Sequence, residues 1–222
     1  MLHWPKREEP LWASLRTIKD IVRIGGILDI GANVGDWSRK AREEFYECPI
    51  HLIEAQPSLE PDLKATAFPY TITLLGAETK PAVPFHLTGT GSSAMKELTG
   101  FHEGTIELPM QRLDDIAFDL PSPLLVKLDV QGFEIEVLRG APETLKRTEV
   151  IVSEVSLLPY NEGAPLMHEV IAFLAERDFL PFDICGGWRR SSDKALAQTD
   201  MIFARKDSRL RAKRKFWENQ RD

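Results

Sequence analysis

The sequence predicts an α/β fold built on a mostly parallel, twisted sheet with helices on both faces. Three observations carry that expectation. A strand, a glycine turn and a helix follow one another in Gly26-Ile27-Leu28-Asp29-Ile30-Gly31-Ala32-Asn33-Val34-Gly35-Asp36-Trp37. Apolar runs of strand length then alternate with helical patterns along the chain. Acids recur where those strands end, at Asp29, Glu54, Glu78, Asp129 and Glu154. Open α/β sheets bind ligands beyond the C-terminal ends of their strands, so a row of acids there marks a binding edge.

The first unit sets the pattern. Ile27, Leu28 and Ile30 read as a buried strand, Gly31 to Gly35 as the turn, and an amphipathic helix runs on to about Phe45. Glycine at such a turn allows positive φ and close approach of backbone to a ligand. A second strand, Ile50-His51-Leu52-Ile53, finishes in Glu54. An acid about 20 residues past the glycines is where a nucleotide-binding α/β fold grips ribose hydroxyls.

The remaining elements follow in order. Leu11 to Arg23 reads as a helix leading into the sheet and covering the pocket, and Pro57 opens another helix. Tyr70 to Leu75 is a third strand ending in Gly76-Ala77-Glu78. Ala82–Leu87 and Thr105–Met110 pair, with a polar loop at Thr88–Ser93 between them, and Gln111–Ile116 starts a short helix. Leu124 to Val130 is a strong central strand, passing through Gln131-Gly132 into a helix from Phe133 to Arg139 with Gly140 as its cap. A strand at Val150–Val155, a helix at Leu166–Arg177 and strands at Phe179–Ile184 and Asp200–Ala204 complete the set. Residues 1–206 form one domain, with 1–24 as its helical lead-in. Residues 207–222 form a charged tail with Arg209, Arg211, Lys213, Arg214 and Lys215, read as a solvated, frayed helix because acids interrupt it.

Composition narrows the function. The chain of 222 residues is 43% hydrophobic and 28% charged, enough for one full core. No apolar run approaches the roughly 20 residues of a membrane span, and the N-terminus lacks the apolar stretch of a signal peptide. Cys48 and Cys185 are far apart, so a disulfide framework is not expected and a reducing cytoplasm is the default. A net charge of -6 argues against nucleic acid, and no membrane partner is expected. Oligomeric state is not legible.

The turn then decides between ligands. A dinucleotide fold wants G-x-G-x-x-G, so that pyrophosphate lies against bare backbone. Here the order is Asp29-x-Gly31-x-Asn33-x-Gly35, without the middle glycine. Asp29 would also set a carboxylate near two phosphates, which repel it. The same acid suits a ligand with an ammonium and no phosphate, such as S-adenosylmethionine. The stretch resembles the first motif of class I methyltransferases, whose fold is Rossmann-like.

Longer blocks sharpen the likeness. Leu28 to Gly35, Ile53-Glu54-Ala55-Gln56-Pro57, Gln111-Arg112-Leu113-Asp114 and above all Lys127-Leu128-Asp129-Val130-Gln131-Gly132-Phe133-Glu134 resemble the FkbM family of S-adenosylmethionine-dependent methyltransferases. The resemblance runs from about Gly26 to Phe203. It implies O-methylation of a hydroxyl on a sugar, glycan or secondary metabolite. It also implies that Asp29, Gly31, Asn33 and Gly35 cradle methionine and ribose, that Glu54 binds ribose hydroxyls, and that Asp129 sits near the methyl donor. Glu78 joins the cofactor-binding set as a further strand-end acid. Many relatives carry an acid where Gln131 stands, which puts a charge-dependent role there in doubt.

Asp129 and Glu154 are the expected catalytic pair. Their strands are separated by one helical crossover and should be neighbours, with both acids at one edge. Two close carboxylates repel, so a proton, a basic side chain or a cation must offset them. A metal-free base ranks ahead of Mg²⁺, since no adjacent Asp-Asp or Asp-Asn pair follows Val150. Lys127, a charge inside an apolar strand, is expected to pair with an acid, and Glu134 to favour its helix start. Ser92 and Ser93 read as loop residues, and His86 and His102 as bystanders. Trp37, Phe182 and Trp188 read as packing. The rival functions are an NAD-dependent oxidoreductase or epimerase, and a non-catalytic nucleotide-binding module.

Overall fold

The computed structural model describes residues 10–98, 100 and 103–212. Within them the strands are β1 (Gly26–Ile30), β2 (Ile50–Glu54), β3 (Tyr70–Ile72), β4 (Leu74–Leu75) and β5 (Lys80–Leu87). They continue with β6 (Gly104–Gln111), β7 (Leu124–Leu128), β8 (Thr148–Ser156), β9 (Phe179–Arg189) and β10 (Leu196–Arg205). The helices are α1 (Pro10–Ile21), α2 (Asp36–Glu44), α3 (Glu60–Ala65), α4 (Glu134–Arg139), α5 (Pro142–Lys146) and α6 (Met167–Ala175).

The central sheet has seven strands in the order β3-β2-β1-β7-β8-β10-β9. Strands β3 to β8 of that order are parallel, and β10 runs antiparallel to both β8 and β9. Strands β1, β2 and β7 are buried throughout, which is why they read as continuous apolar runs. Alternate side chains serve opposite faces. Ile27, Leu52 and Leu125 join α1, α2 and α3 in one core, while Leu28, Ile53 and Val126 join α4, α5 and α6 in the other.

Several sequence expectations shift. The third strand divides: β3 stops at Ile72, and β4 leaves the central sheet to pair with β6 in a small sheet ordered β4-β6-β5. Leu74, Phe85, Leu108 and Met110 form its core. The helix expected at Gln111–Ile116 is one 3-10 turn, Leu113–Asp115, because β6 runs on to Gln111. Its Asp114 instead caps α5, accepting from Glu143 N at 2.7 Å and Thr144 N at 2.9 Å. Gly140 does close α4, yet with φ -80 it is not a left-handed cap. A Cβ there would lie 2.1 Å from the Gly76 carbonyl oxygen, so close approach is what demands glycine.

The β9–β10 hairpin is much longer than the two short strands expected. The domain also runs past residue 206: Leu210 is buried in the first core, and Arg211 donates to the Pro181 carbonyl at 2.9 Å. Lys213, Arg214 and Lys215 of the tail, and His102, lie outside the described residues. No helix among the described residues is long and apolar enough to cross a membrane.

Candidate active site

A cavity of about 270 Å³ opens at the C-terminal ends of β1, β2 and β7. The turn after β1 forms one wall, Glu54 to Gln56 another, and Thr90 and Ser92 from the loop after β5 a rim. Asp129, Val130 and Gln131, which follow β7, close the remaining side.

The turn is held by the acid at the end of the neighbouring strand. Glu54 is 5% exposed; it accepts from Asn33 N at 2.8 Å and from Gln56 N at 3.0 Å. Asn33 takes φ 49, and its own Oδ1 accepts from Val34 N at 2.8 Å. Gly31 takes φ 74, and a Cβ there would sit 1.8 Å from the Asp129 carbonyl oxygen. The close approach that requires this glycine is therefore to the chain after β7, although Gly31 also lines the cavity.

Three of the residues expected to bind the cofactor do not line this cavity. Asp29 is fully buried and does not line the cavity. Its Oδ2 accepts from Ser38 Oγ at 2.7 Å, and its Oδ1 lies 3.1 Å from Lys127 Nζ. The charge reserved for a ligand's ammonium is thus spent on Lys127. Gly35 also stays out of the cavity wall; with φ 82 it turns the chain into α2. Glu78 follows β4 in the small sheet, pairs with Lys80 at 2.7 Å and is 65% exposed, away from the cavity.

Lys127 is the hub beneath the site. It donates to the Gly31 carbonyl at 2.8 Å and stands 3.6 Å from Asp129 Oδ2. Burial works against its charge, but Asp29, then Asp129 and Glu54, more than offset this and raise its pKa. Its ammonium ties the turn after β1 to the end of β7. Asp129 itself stays 38% exposed at the cavity side.

Asp129 and Glu154 come together, as β7 and β8 are parallel neighbours. What lies between them is an amide. Gln131 Nε2 donates to Asp129 Oδ1 at 2.7 Å and to Glu154 Oε2 at 2.9 Å. Gln198 Nε2, from β10, donates to the same Glu154 Oε2 at 3.1 Å. Gln131 sits at φ 52, and two side chains fix it there: Ser93 Oγ (2.9 Å) and Asn161 Nδ2 (2.5 Å) donate to its carbonyl. Burial pushes the Glu154 carboxyl up to about 8, aided by Asp129, Glu134 and Asp200 and opposed by the Gln131 bond. Burial likewise pushes Glu134 up to about 7, although it accepts from Gly132 N at 3.1 Å.

The other expectations sort by position. Ser93 is a buttress of Gln131, while Ser92 lines the cavity. His86 bonds Thr105 across the small sheet at 3.1 Å and lies off the cavity. Phe182 packs on the first core. Trp37 lines the cavity, with Trp12 of α1 behind it at 5.5 Å between ring centroids. Its buried Nε1 has no hydrogen-bond partner among the described residues. Trp188, expected to pack, is 51% exposed and meets Tyr160 edge-on at 6.2 Å. Among the described residues no group of three His, Cys, Asp or Glu side chains is arranged to hold a metal.

Comparison with known proteins now bears on this geometry. The family model for the methyltransferase FkbM domain matches residues 29–181, more than half of the chain. The chain belongs to the FkbM methyltransferase family. As a member it takes S-adenosylmethionine as its cofactor, and its fold is that of class I methyltransferases. It is similar to an S-adenosylmethionine-dependent methyltransferase from Clostridium acetobutylicum, at 7% identity and a TM-score of 0.51, over 90% of this chain and 92% of that one. It is also similar to precorrin-6y C5,15-methyltransferase from Geobacter metallireducens, at 14% identity and a TM-score of 0.45, over 86% of each chain. No curated protein matches. In this FkbM protein the Lys127–Glu134 block thus supplies the hub, the open acid and the bridging amide in one turn.

Sequence reasoning missed Gln198, Asn161 and Tyr160 as neighbours of the acid pair. They come from β10 and from the loop after β8, and no local pattern announces them. Gln131 alone carried a signal, as the departure within its block.

Proposed function

We propose that this FkbM protein transfers the methyl group of S-adenosylmethionine to a hydroxyl of a sugar, glycan or secondary metabolite, with Glu154 as general base. One observation carries the reading. Both amides converge on Glu154 Oε2 and leave Oε1 for an acceptor hydroxyl; Glu154 itself stands outside the cavity lining and is joined to it by Gln131, which does line it. A carboxyl pushed up to about 8 is matched to taking a proton near neutral pH.

The residues fit the donor. Glu54 keeps acceptor capacity beyond its two backbone bonds and would hold ribose hydroxyls. Asp129, open on the cavity side, would face the donor's cationic end. When bound, S-adenosylmethionine supplies a methyl group already activated by its sulfonium.

The protein's work is then alignment and proton removal. With the acceptor hydroxyl held in line with the donor's methyl group, Glu154 Oε1 would take the hydroxyl proton. Gln131 holds Glu154 and Asp129 at a fixed separation, in the role a cation would otherwise fill.

The test is incubation of the purified protein with methyl-labelled donor and a metabolite extract, read by mass spectrometry. Labelled ether products are expected, with Glu154→Gln reducing them by about 10²–10⁴-fold. Turnover abolished by EDTA and restored by Mg²⁺ would replace the base with a metal-bound hydroxyl.

A further inference from the structure

The β9–β10 hairpin carries features the methyl-transfer chemistry does not use. It is a register partner that brings it to the site: Trp188 pairs with Gln198, whose amide reaches Glu154. Cross-strand partners lie about 4.5–5.5 Å apart at Cβ, so Trp188 is one such step from Gln198, and the Gln198 amide spans the rest of the way to the base. Tyr160 meets the Trp188 ring edge-on, and Leu98 donates its backbone N–H to the Tyr160 carbonyl at 2.9 Å. Leu98 and Trp188 are 55% and 51% exposed, two of the four large hydrophobic side chains left open among the described residues. Scattered apolar residues need no explanation, but an aromatic rim bordering a catalytic acid is a platform for a ring.

Charge adds a second, independent feature. Arg189 ends β9 directly after Trp188, and the turn that follows presents Arg190 and Lys194. Arg190 is answered by Asp193 at 2.5 Å. Arg189 Nη1 bonds only the Lys194 carbonyl (2.9 Å), and Lys194 Nζ only the Ser191 carbonyl (3.0 Å). Neither cation has a carboxylate partner among the described residues. On a protein of net charge -6, two cations without a carboxylate partner at the tip of the hairpin that carries Trp188 favour an anion there.

We infer that the Tyr160–Trp188 rim and the Arg189/Lys194 tip form an acceptor subsite for a sugar bearing an acidic group. The sugar ring lies on Trp188, its hydroxyl reaches Glu154, and its carboxylate or phosphate meets the two cations. This inference rests on the methyl-transfer reading and adds to it the acidic group and the place where it binds.

Calorimetry with the full chain tests it, using para-nitrophenyl glucuronide and para-nitrophenyl glucoside as probes in the presence of S-adenosylhomocysteine. The glucuronide should bind about tenfold tighter at low salt, and the gap should shrink as salt rises. Arg189→Met with Lys194→Met should erase the preference while leaving glucoside binding in place. Trp188→Ala should weaken both probes roughly tenfold. In every variant unchanged S-adenosylhomocysteine affinity reports an intact fold. Equal affinity for the two probes, no binding of either, or indifference to Trp188→Ala would overturn the subsite alone. Failure of S-adenosylhomocysteine to bind the wild type would overturn the donor reading and this one with it.

Discussion

Gln131 donates its side-chain amide to Glu154 at 2.9 Å, and the same nitrogen reaches Asp129 at 2.7 Å. One neutral group thereby holds two acids that would otherwise repel. Because the bond to Gln131 favours the ionised form of Glu154, its loss has a defined sign. Gln131→Met should raise the Glu154 pKa further and move the pH–rate profile to the alkaline side. Hydrogen bonds to charged groups are worth about 1.5–3 kcal/mol, so turnover at neutral pH should drop by roughly 10–100-fold. An unmoved profile would show that the amide does not tune the base.

Glu154 also sets a pH dependence of stability. Its folded pKa of about 8 lies above the ordinary 4.5, so the folded state holds the proton more tightly than the unfolded chain. Stability therefore falls as pH rises between those two values. Glu154→Gln keeps an oxygen for both amides and removes the ionisation. Its denaturation midpoint should exceed that of the wild type at pH above 8 and converge with it towards pH 4.5. Parallel curves would place the shift elsewhere.

Glu54 offers the most direct check on the donor. Glu54→Ala removes the carboxylate facing the cavity and should weaken S-adenosylmethionine by roughly 1.5–3 kcal/mol for each lost bond. Calorimetry on the wild type should show NAD binding far more weakly than S-adenosylmethionine. Tight NAD binding contradicts the family's cofactor in this chain. Because Glu54 also clamps Asn33, a melting curve must accompany the measurement.

Lys127 and Asp29 form a buried pair, the lysine side chain 8% exposed and the aspartate fully buried. Lys127→Met strands the carboxylate, which costs about 3–5 kcal/mol. Adding Asp29→Asn should recover much of that loss in urea unfolding. No recovery would mean that the Gly31 carbonyl, and not Asp29, is the partner that matters.

The chain by itself determined the elements that depend on local pattern. Apolar runs buried on both faces announce β1, β2 and β7 wherever they stand, and the Gly31–Gly35 turn and the Lys127–Glu134 block are contiguous, so both were legible with their acids. What tertiary structure decided is which acids face the cavity. Asp29 and Asp129 look alike in sequence at two strand ends. Register sets Asp29 directly beside Lys127 and buries it, while Asp129, one residue past β7, stays open. Glu78 lies off the cavity because a strand of two residues can leave one sheet for another without any change of composition. The environment of Glu154 comes from β10, whose antiparallel pairing brings Gln198 across 44 residues of sequence. Such contacts follow from how strands are ordered in the sheet, and a period-two pattern records only which side of a strand is buried, never which strand lies next to it.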